Sequence, residues 1–133
     1  KSHISILAAA VADYRPINVA DQKIKKKEKR LTIELEKTMD IAATLGKQKR
    51  DNQLLIGFAL ETNNEIENAK GKLMRKNLDF IVLNSLKDQG AGFAVDTNKI
   101  TILRKDNKIK EFELKSKTKV AIDIVNEIVL MIE

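Results

Sequence analysis

The stretch "QLLIGFALETNNEIENAKGKLMRKNLDFIVLN", residues 53–84, decides the predicted fold. It opens with a short apolar run at residues 53–60 and closes with a second one at residues 79–84. Short apolar runs of this length are typical of strands that are covered on both faces. A helical pattern separates the two runs, so the stretch predicts two parallel strands joined by a helical crossover.

The helical part of this stretch has a predicted start and a predicted buried face. Thr62 is followed three residues later by Glu65, a spacing that predicts a capping box at the helix start. Ile66, Ala69 and Leu73 recur at helical spacing and are expected to face the core.

Patterns on either side of this stretch predict the remaining elements. We expect strands at 3–11 and 31–36, a helix at 39–49, a hairpin at 99–114 that turns at Asp106-Asn107, and a helix from about Thr118. Residues 12–30 and 85–98 are predicted to be loops. The last helix is expected to close the core with one stripe of residues, namely Ala121, Ile124, Val125, Ile128 and Ile132.

This order of elements predicts an α/β protein. We expect a Rossmann-like three-layer fold with a mainly parallel sheet and a C-terminal β-hairpin extension. The length of 133 residues suits one domain, residues 1–133. The chain opens with Lys1 instead of Met and soon enters a predicted strand, so we expect it to be part of a longer protein.

Composition excludes several classes of site and partner. The chain has no cysteine, which rules out disulfides, zinc ribbons and thiol nucleophiles within these residues and favours a cytoplasmic location. Its longest apolar stretch, residues 4–12, is far shorter than the roughly 20 residues of a membrane helix. We therefore expect no membrane association.

Positive charge is concentrated in "KIKKKEKR", residues 23–30. This segment holds six basic residues and one acidic residue, whereas the whole chain has a net charge of +6. Such a run suits nucleic acid, a phosphorylated small molecule, or simply a solvated loop. Nucleic-acid binding needs charge spread along many phosphates, so the compact run favours a small anion over nucleic acid.

Polar and small residues follow the predicted strands at 3–11, 53–60 and 79–84. In sheets with parallel strands, ligands bind beyond the carboxyl ends of the strands. Lys72 and Lys76, four residues apart on the intervening helix, form a ridge beside these ends. Together with the basic run, they suit a nucleoside triphosphate and its magnesium. No cluster has metal-ligand spacing, so we expect Mg²⁺ to be held mainly by phosphates.

Five motifs in order resemble the C-terminal half of bacterial phosphopantothenoylcysteine synthetases. They are "AAAVADYRP" (8–16), "KIKK" (23–26), "GFALETN" (57–63), "KLMRKNLDFIVLN" (72–84) and "GFAVDTNKITI" (92–102). The resemblance implies a ligase of coenzyme A biosynthesis. In that family, 4′-phosphopantothenate attacks CTP to give an acyl-cytidylate and pyrophosphate, and the amine of cysteine then displaces CMP.

The resemblance also implies roles for particular residues. Asp13 and Lys23 would contact the nucleotide, and Lys23 would be the catalytic residue of the second step, with the segment after it acting as a lid. Further nucleotide contacts would come from Asp40, Ile41, Phe58, Lys72 and Lys76, with Phe58 beside the cytosine. Ala9 and Ala10 would line the pocket for the intermediate.

Two departures from the family pattern stand out. The family usually has "NPDI" where this chain has Thr38-Met39-Asp40-Ile41, which keeps Asp and Ile but loses Asn and Pro. The N-terminal nucleotide-binding part of the synthetase domain is not in these residues. FMN is expected only if a decarboxylase domain is fused outside this chain.

The ligase hypothesis implies small-molecule substrates, a homodimer through the hairpin that begins "KITILRK", and no nucleic acid. The alternative is a non-catalytic module that binds nucleic acid or an acidic partner through residues 23–30. A third hypothesis, a fragment of an oxidoreductase, is disfavoured because Gly90 to Gly92 lack the rest of a dinucleotide fingerprint.

Overall fold

The computed structural model describes residues 2–25, 30–85 and 95–133. The strands are β1 (Ile4–Leu7), β2 (Tyr14–Pro16), β3 (Leu35–Lys37), β4 (Leu54–Glu61), β5 (Phe80–Ser85), β6 (Thr97–Asn98), β7 (Ile100–Arg104), β8 (Ile109–Glu111) and β9 (Lys115–Ser116). The helices are α1 (Ile41–Gln48), α2 (Glu65–Arg75) and α3 (Lys117–Ile132). Residues 26–29 of the predicted lid and most of the predicted loop at 85–98, with Gly90 to Gly92, lie outside the described residues.

The main sheet has five strands in the order β1-β4-β5-β7-β8. β1, β4 and β5 are parallel, and β7 and β8 extend the sheet as an antiparallel hairpin. Apolar side chains cover both faces: α1 and α2 pack on one through Leu45, Ile66 and Leu73, and α3 packs on the other through Ile124 and Ile128. These three layers confirm the predicted α/β, Rossmann-like fold.

The predicted strand at 3–11 is shorter and more exposed than expected. β1 covers only Ile4–Leu7, and Ile4 and Ile6 are 37% and 45% exposed. In the described part of the chain, β1 pairs with β4 alone and forms an edge of the sheet. The expectation of a fully buried strand was therefore wrong for this chain.

The start of α2 differs from the predicted capping box. Asn64 is the N-cap residue, with a left-handed φ of 45°, and Glu65 is the first helical residue. Thr62 lies before the cap, so the capping box was wrong. Asparagine adopts the left-handed region more readily than most residues, which explains why the chain turns into the helix there. The predicted buried face is confirmed, since Ala69 and Leu73 are fully buried.

Residues 14–16 and 35–37 form a two-stranded antiparallel ribbon, β2 and β3. The sequence predicted a loop over the first segment and a strand at 31–36. Pro16 is opposite Leu35, at a position where the ladder needs no N–H donor, so its missing N–H leaves the pairing intact. One further bond, from the Ile17 N–H to the Glu34 carbonyl, extends it.

The hairpin turn is confirmed at Asp106-Asn107, where Asn107 has a φ of 67°. β7 is paired on both sides, so the edge of the described sheet here is β8. Homodimerisation through this hairpin stays a prediction.

Only two of the five residues in the stripe predicted for the last helix are buried. Ile124 and Ile128 are buried, but Ala121, Val125 and Ile132 are exposed. The buried face is rotated toward the hairpin and includes Val120 and Glu127. Glu127 is buried because Arg104 and Lys110 lie 3.2 and 3.1 Å from its carboxylate oxygens. Within the described residues, no helix is both long and apolar enough to cross a membrane.

Candidate functional site

A cavity of about 400 Å³ lies beside the end of β1, the middle of β4, the start of α1 and the last turn of α2. The structure brings seven of the nine predicted site residues to its wall, namely Ala9, Asp13, Asp40, Ile41, Phe58, Lys72 and Lys76. These residues come from four segments of the chain. The fold therefore gathers them into one place, while their roles in binding stay predictions.

Asp13 follows the small residues that leave β1. Its carbonyl accepts a hydrogen bond from the Thr38 N–H at 3.0 Å, and the Thr38 hydroxyl donates to the Ala12 carbonyl at 2.6 Å. These two bonds fix the backbone on both sides of the Asp13 peptide and leave an exposed carboxylate at the cavity. Thr38 was not predicted as a site residue; it stands where the resembled family has Asn.

Asp40 connects the start of α1 to the ridge on α2. One carboxylate oxygen accepts a hydrogen bond from the Ala43 N–H at 2.9 Å, which makes Asp40 the N-cap of α1. The other oxygen lies 3.1 Å from the Lys76 ammonium. The Ala43 N–H and, to a smaller extent, Lys76 lower the pKa of Asp40, against a partial opposing effect of burial. Asp40 is therefore a fixed anion beside the cavity.

Lys72 and Lys76 lie one turn apart on α2 and both line the cavity. Each is paired with a carboxylate: Lys76 with Asp40, and Lys72 with Glu61 at 2.6 Å. Sequence reasoning found the lysines from their spacing but did not find Glu61. The sequence feature that could have indicated Glu61 is its position at the end of β4, just before the helix that carries the two lysines.

Phe58 lies on β4, partly buried, and packs against the cluster under α3 while also lining the cavity. Its ring packs on the side of the sheet that α3 covers, opposite to α2, so its place beside a nucleotide base stays a prediction.

Two predicted residues are not at the cavity wall. Ala10 is exposed and lies between the cavity-lining residues Ala9 and Val11. Lys23, the predicted catalytic residue, is exposed and does not line the cavity. The structure thus does not bring Lys23 to the other site residues, and its catalytic role stays a prediction.

The described residues bring no three Asp, Glu or His side chains close enough to hold a metal ion. The expectation that Mg²⁺ is held mainly by the phosphates of a nucleotide stays a prediction. The lysines of α2 would then face the remaining phosphate charge.

Comparisons with known proteins connect this site to one family. Residues 1–131 match the model of the DNA/pantothenate metabolism flavoprotein C-terminal domain. A cysteine/cysteine sulfinic acid decarboxylase from an unknown prokaryotic organism is 59% identical over 97% of this chain and 36% of that protein. The coenzyme A biosynthesis bifunctional protein CoaBC of Bacillus subtilis strain 168 is 46% identical over 96% of this chain and 31% of that protein.

A solved structure supports the same assignment. The crystal structure of the C-terminal domain of a CoaBC protein superposes with a TM-score of 0.74 at 42% identity, covering 96% of this chain and 54% of that one. This chain spans about a third of the length of the two curated relatives. Its resemblance to the C-terminal part of bacterial phosphopantothenoylcysteine synthetases is confirmed, and the chain belongs to the family of DNA/pantothenate metabolism flavoprotein C-terminal domains.

Proposed function

We propose that the chain is part of a ligase of coenzyme A biosynthesis that joins 4′-phosphopantothenate to cysteine at the expense of CTP. The observation that carries this proposal is one cavity that gathers two lysines, two aspartates and Phe58 from separate segments. The family assignment supports it, because the similar CoaBC proteins are named for coenzyme A biosynthesis.

The proposed reaction has two steps. A carboxylate oxygen of 4′-phosphopantothenate attacks the α-phosphorus of CTP, and the bond to pyrophosphate breaks. The amine of cysteine then attacks the acyl carbon, loses a proton to solvent, and the bond to CMP breaks. Both steps move negative charge among phosphate oxygens, which positioned cations stabilise.

The residues of this chain have separate roles in the proposal. Lys72 and Lys76 bind the phosphates of Mg-CTP from the α2 side. Phe58 stacks beside the base, and Asp13 accepts hydrogen bonds from the nucleotide. Asp40 and Ile41 contact the nucleotide from the start of α1.

Lys23 and the small residues after β1 complete the proposed site. We propose that the segment carrying Lys23 closes over the cavity when substrates bind, and that Lys23 then neutralises phosphate charge during capture of cysteine. Ala9 and Ala10 leave room for the acyl-cytidylate to approach the backbone. FMN would belong to a fused decarboxylase outside this chain, and the protein is proposed to be a homodimer.

The name of the 59% identical relative refers to a decarboxylation. The matched region is about a third of that protein, so the name does not say which chemistry the shared region performs. The ligase proposal assigns the shared region to nucleotide-dependent ligation.

The first test is turnover. The intact protein, with the N-terminal part of the synthetase domain, should release CMP and pyrophosphate only when 4′-phosphopantothenate and cysteine are both supplied. Replacing Lys23→Gln should lower kcat by about 10² to 10³, the usual cost of losing one preorganised charge. The matched control is Lys25→Gln, which removes the same charge two residues away and should keep most of the activity. Full turnover in the Lys23→Gln protein would refute its catalytic role.

A second test separates the ligase from a nucleic-acid-binding module. Calorimetric titrations with Mg-CTP, Mg-ATP and a short RNA should show saturable binding that prefers CTP. The alternative instead expects RNA binding that falls steeply with salt and is weakened equally by Lys23→Gln and Lys25→Gln. That result would replace the ligase proposal.

A further inference from the structure

Glu61 has a nearly buried carboxylate that lies beside Lys72, one of the two lysines of the ridge. Its side chain is 13% exposed, and its Oε1 lies 2.6 Å from the Lys72 ammonium. Oε1 is buried and has no aligned hydrogen-bond donor among the described residues, so the contact with Lys72 is an ion pair. Lys72 lines the cavity, but Glu61 does not. A ligand in the cavity would therefore meet the ammonium and not the carboxylate.

The carboxylate of Glu61 is itself held in place. Glu61 is the last residue of β4 and is in register with Ser85 of β5. Asn68 donates from its side-chain amide to Glu61 Oε2 at 3.3 Å and to the Asn63 carbonyl at 2.9 Å. The amide thus bridges the end of the strand and the turn into α2, and it keeps the carboxylate beside the helix.

The neighbouring pair is built differently. Asp40, the partner of Lys76, is 50% exposed and lines the cavity, so it is accessible to a ligand. Glu61 does not line the cavity, and Asn68 holds its carboxylate beside Lys72. The two carboxylates are therefore expected to act differently on their lysines.

We propose that Glu61 is a positioning residue, which holds the Lys72 ammonium at the cavity wall where it meets a phosphate of the nucleotide. The proposal deepens the proposed function and rests on it for the identity of the ligand. It names a residue that does not touch substrate and acts only through Lys72.

Two opposing effects decide the sign of a Glu61 substitution. A free lysine side chain loses considerable rotamer entropy when it is fixed on a ligand, and pairing with Glu61 removes most of that loss beforehand. The carboxylate also repels a bound phosphate, but a phosphate in the cavity meets the Lys72 ammonium and not Glu61, and the nearer opposite charge has the larger effect. Positioning therefore dominates, and removal of Glu61 should weaken nucleotide binding.

The first experiment needs no nucleotide. NMR relaxation at Cε reports how well each lysine side chain is ordered in the free protein. Glu61→Gln should lower the order of Lys72 and leave Lys76 unchanged. The matched control is Glu67→Gln, which removes an exposed carboxylate from the first turn of α2 and should change neither lysine. Unchanged order of Lys72 in Glu61→Gln would overturn the proposal, whatever the ligand is.

The second experiment measures the Kd for Mg-CTP by calorimetry. Glu61→Ala should raise the Kd about 5- to 10-fold, whereas Glu67→Ala should leave it within about 2-fold. Lys72→Met should also weaken binding, and adding Glu61→Ala to it should have no further effect, because Glu61 acts only through Lys72. Effects that add in the double variant would overturn the proposal.

Failure of the proposed function has a different signature. If the unsubstituted protein binds no Mg-CTP while Lys72 loses order in Glu61→Gln, the ligase proposal fails and the positioning role stands. A protein that binds Mg-CTP equally well with and without Glu61 would refute the positioning role alone. Asn68→Ala, which removes the bridge to Glu61 without changing charge, should give a smaller rise in Kd than Glu61→Ala.

Discussion

Two ion pairs between lysine and aspartate lie at the two ends of α1. At the amino ends of β4 and β5, the Lys49 ammonium is 2.8 Å from both carboxylate oxygens of Asp79, and the side chains are 10% and 15% exposed. At the cavity, Lys76 and Asp40 lie 3.1 Å apart and are 30% and 50% exposed. The chemistry of the two pairs is the same, but their access to water is not.

This difference in exposure makes Lys49–Asp79 a structural pair and leaves Lys76–Asp40 open to a ligand. They are called the closed pair and the open pair below. Asp79 also accepts a hydrogen bond from the Leu55 N–H at 2.7 Å, so its charge joins the end of α1 to two strands. Removing one member of such a closed pair leaves an uncompensated charge away from water. Removing one member of the open pair leaves a charge that water can solvate.

The largest expected effect comes from breaking the closed pair. Lys49→Met should lower the free energy of unfolding by about 3–5 kcal/mol, because Asp79 is left with an unpaired charge. Lys76→Met is the matched control and should lower it by less than about 1 kcal/mol. Urea denaturation monitored by circular dichroism measures both.

Nucleotide binding should rank the same two variants in the opposite order. Lys76→Met removes a charge at the cavity and should weaken binding of Mg-CTP by about 10- to 100-fold, the usual range for a hydrogen bond to a charged group. Lys49→Met should bind normally below its unfolding transition. Equal losses of stability in the two variants would contradict the distinction between a closed and an open pair.

Gly46 is the residue of α1 that packs against the end of α2. It lies in α1 against the end of α2, and a Cβ atom there would be 1.9 Å from the Lys76 carbonyl oxygen. The Asn77 side-chain amide donates to the Gly46 carbonyl at 2.8 Å. Backbone therefore packs on backbone, and only glycine permits this approach.

A smaller loss of stability is expected when this contact is broken. Gly46→Ala should cost about 1–3 kcal/mol, because the methyl group must push the two helices apart. In Gly71→Ala, by contrast, the new methyl group would meet the flexible end of Arg75, at 2.9 Å from Nη1. That variant should gain about 0.5–1 kcal/mol from the higher helix propensity of alanine. Thermal unfolding of both proteins checks the opposite signs, and a stabilised Gly46→Ala protein would contradict the packing argument.

The layer formed by α1 and α2 shows what sequence could and could not predict. The ridge of Lys72 and Lys76 followed from their spacing on one helix, and periodicity predicted the strands and the crossover that places them beside the cavity. The partners of the two lysines did not follow, because Asp40 and Glu61 reach them only through the tertiary packing of α1, α2 and β4. Spacing describes contacts within an element, and these pairs join different elements.

The errors at α3 and at the start of α2 also arose because spacing within one element does not describe contacts between elements or the conformation of single residues. The predicted stripe of α3 assumed that apolar residues alone decide which face is buried, but the two cations around Glu127 rotate the buried face toward the hairpin. The start of α2 was misplaced because Asn64 adopts a left-handed conformation that the Thr62 and Glu65 spacing does not reveal. The roles of Asp13 and Phe58 came from family resemblance, and no local pattern supplies them.

The smallest expected effect is the pH dependence of the stability that Asp40, in the open pair, contributes. The pKa of Asp40 is lowered below its ordinary value of 3.8, first by the Ala43 N–H and then by Lys76. As pH falls, the unfolded chain therefore takes up this proton before the folded protein does. The stability contributed by the Asp40 charge is fully present above the ordinary pKa and is lost as pH falls through the lower, folded one. Asp40→Asn keeps a capping oxygen but does not titrate.

Thermal unfolding between pH 7 and pH 2.5 would measure this contribution. The difference in Tm between the unsubstituted protein and Asp40→Asn should be constant from pH 7 to about pH 5 and should shrink below about pH 4. Because the Ala43 N–H is the larger cause, most of this shrinkage should remain when the comparison is repeated in a Lys76→Met background. If Lys76→Met abolishes it, the ammonium and not the helix start holds the Asp40 charge, and the open pair would be more strongly coupled than its exposure indicates.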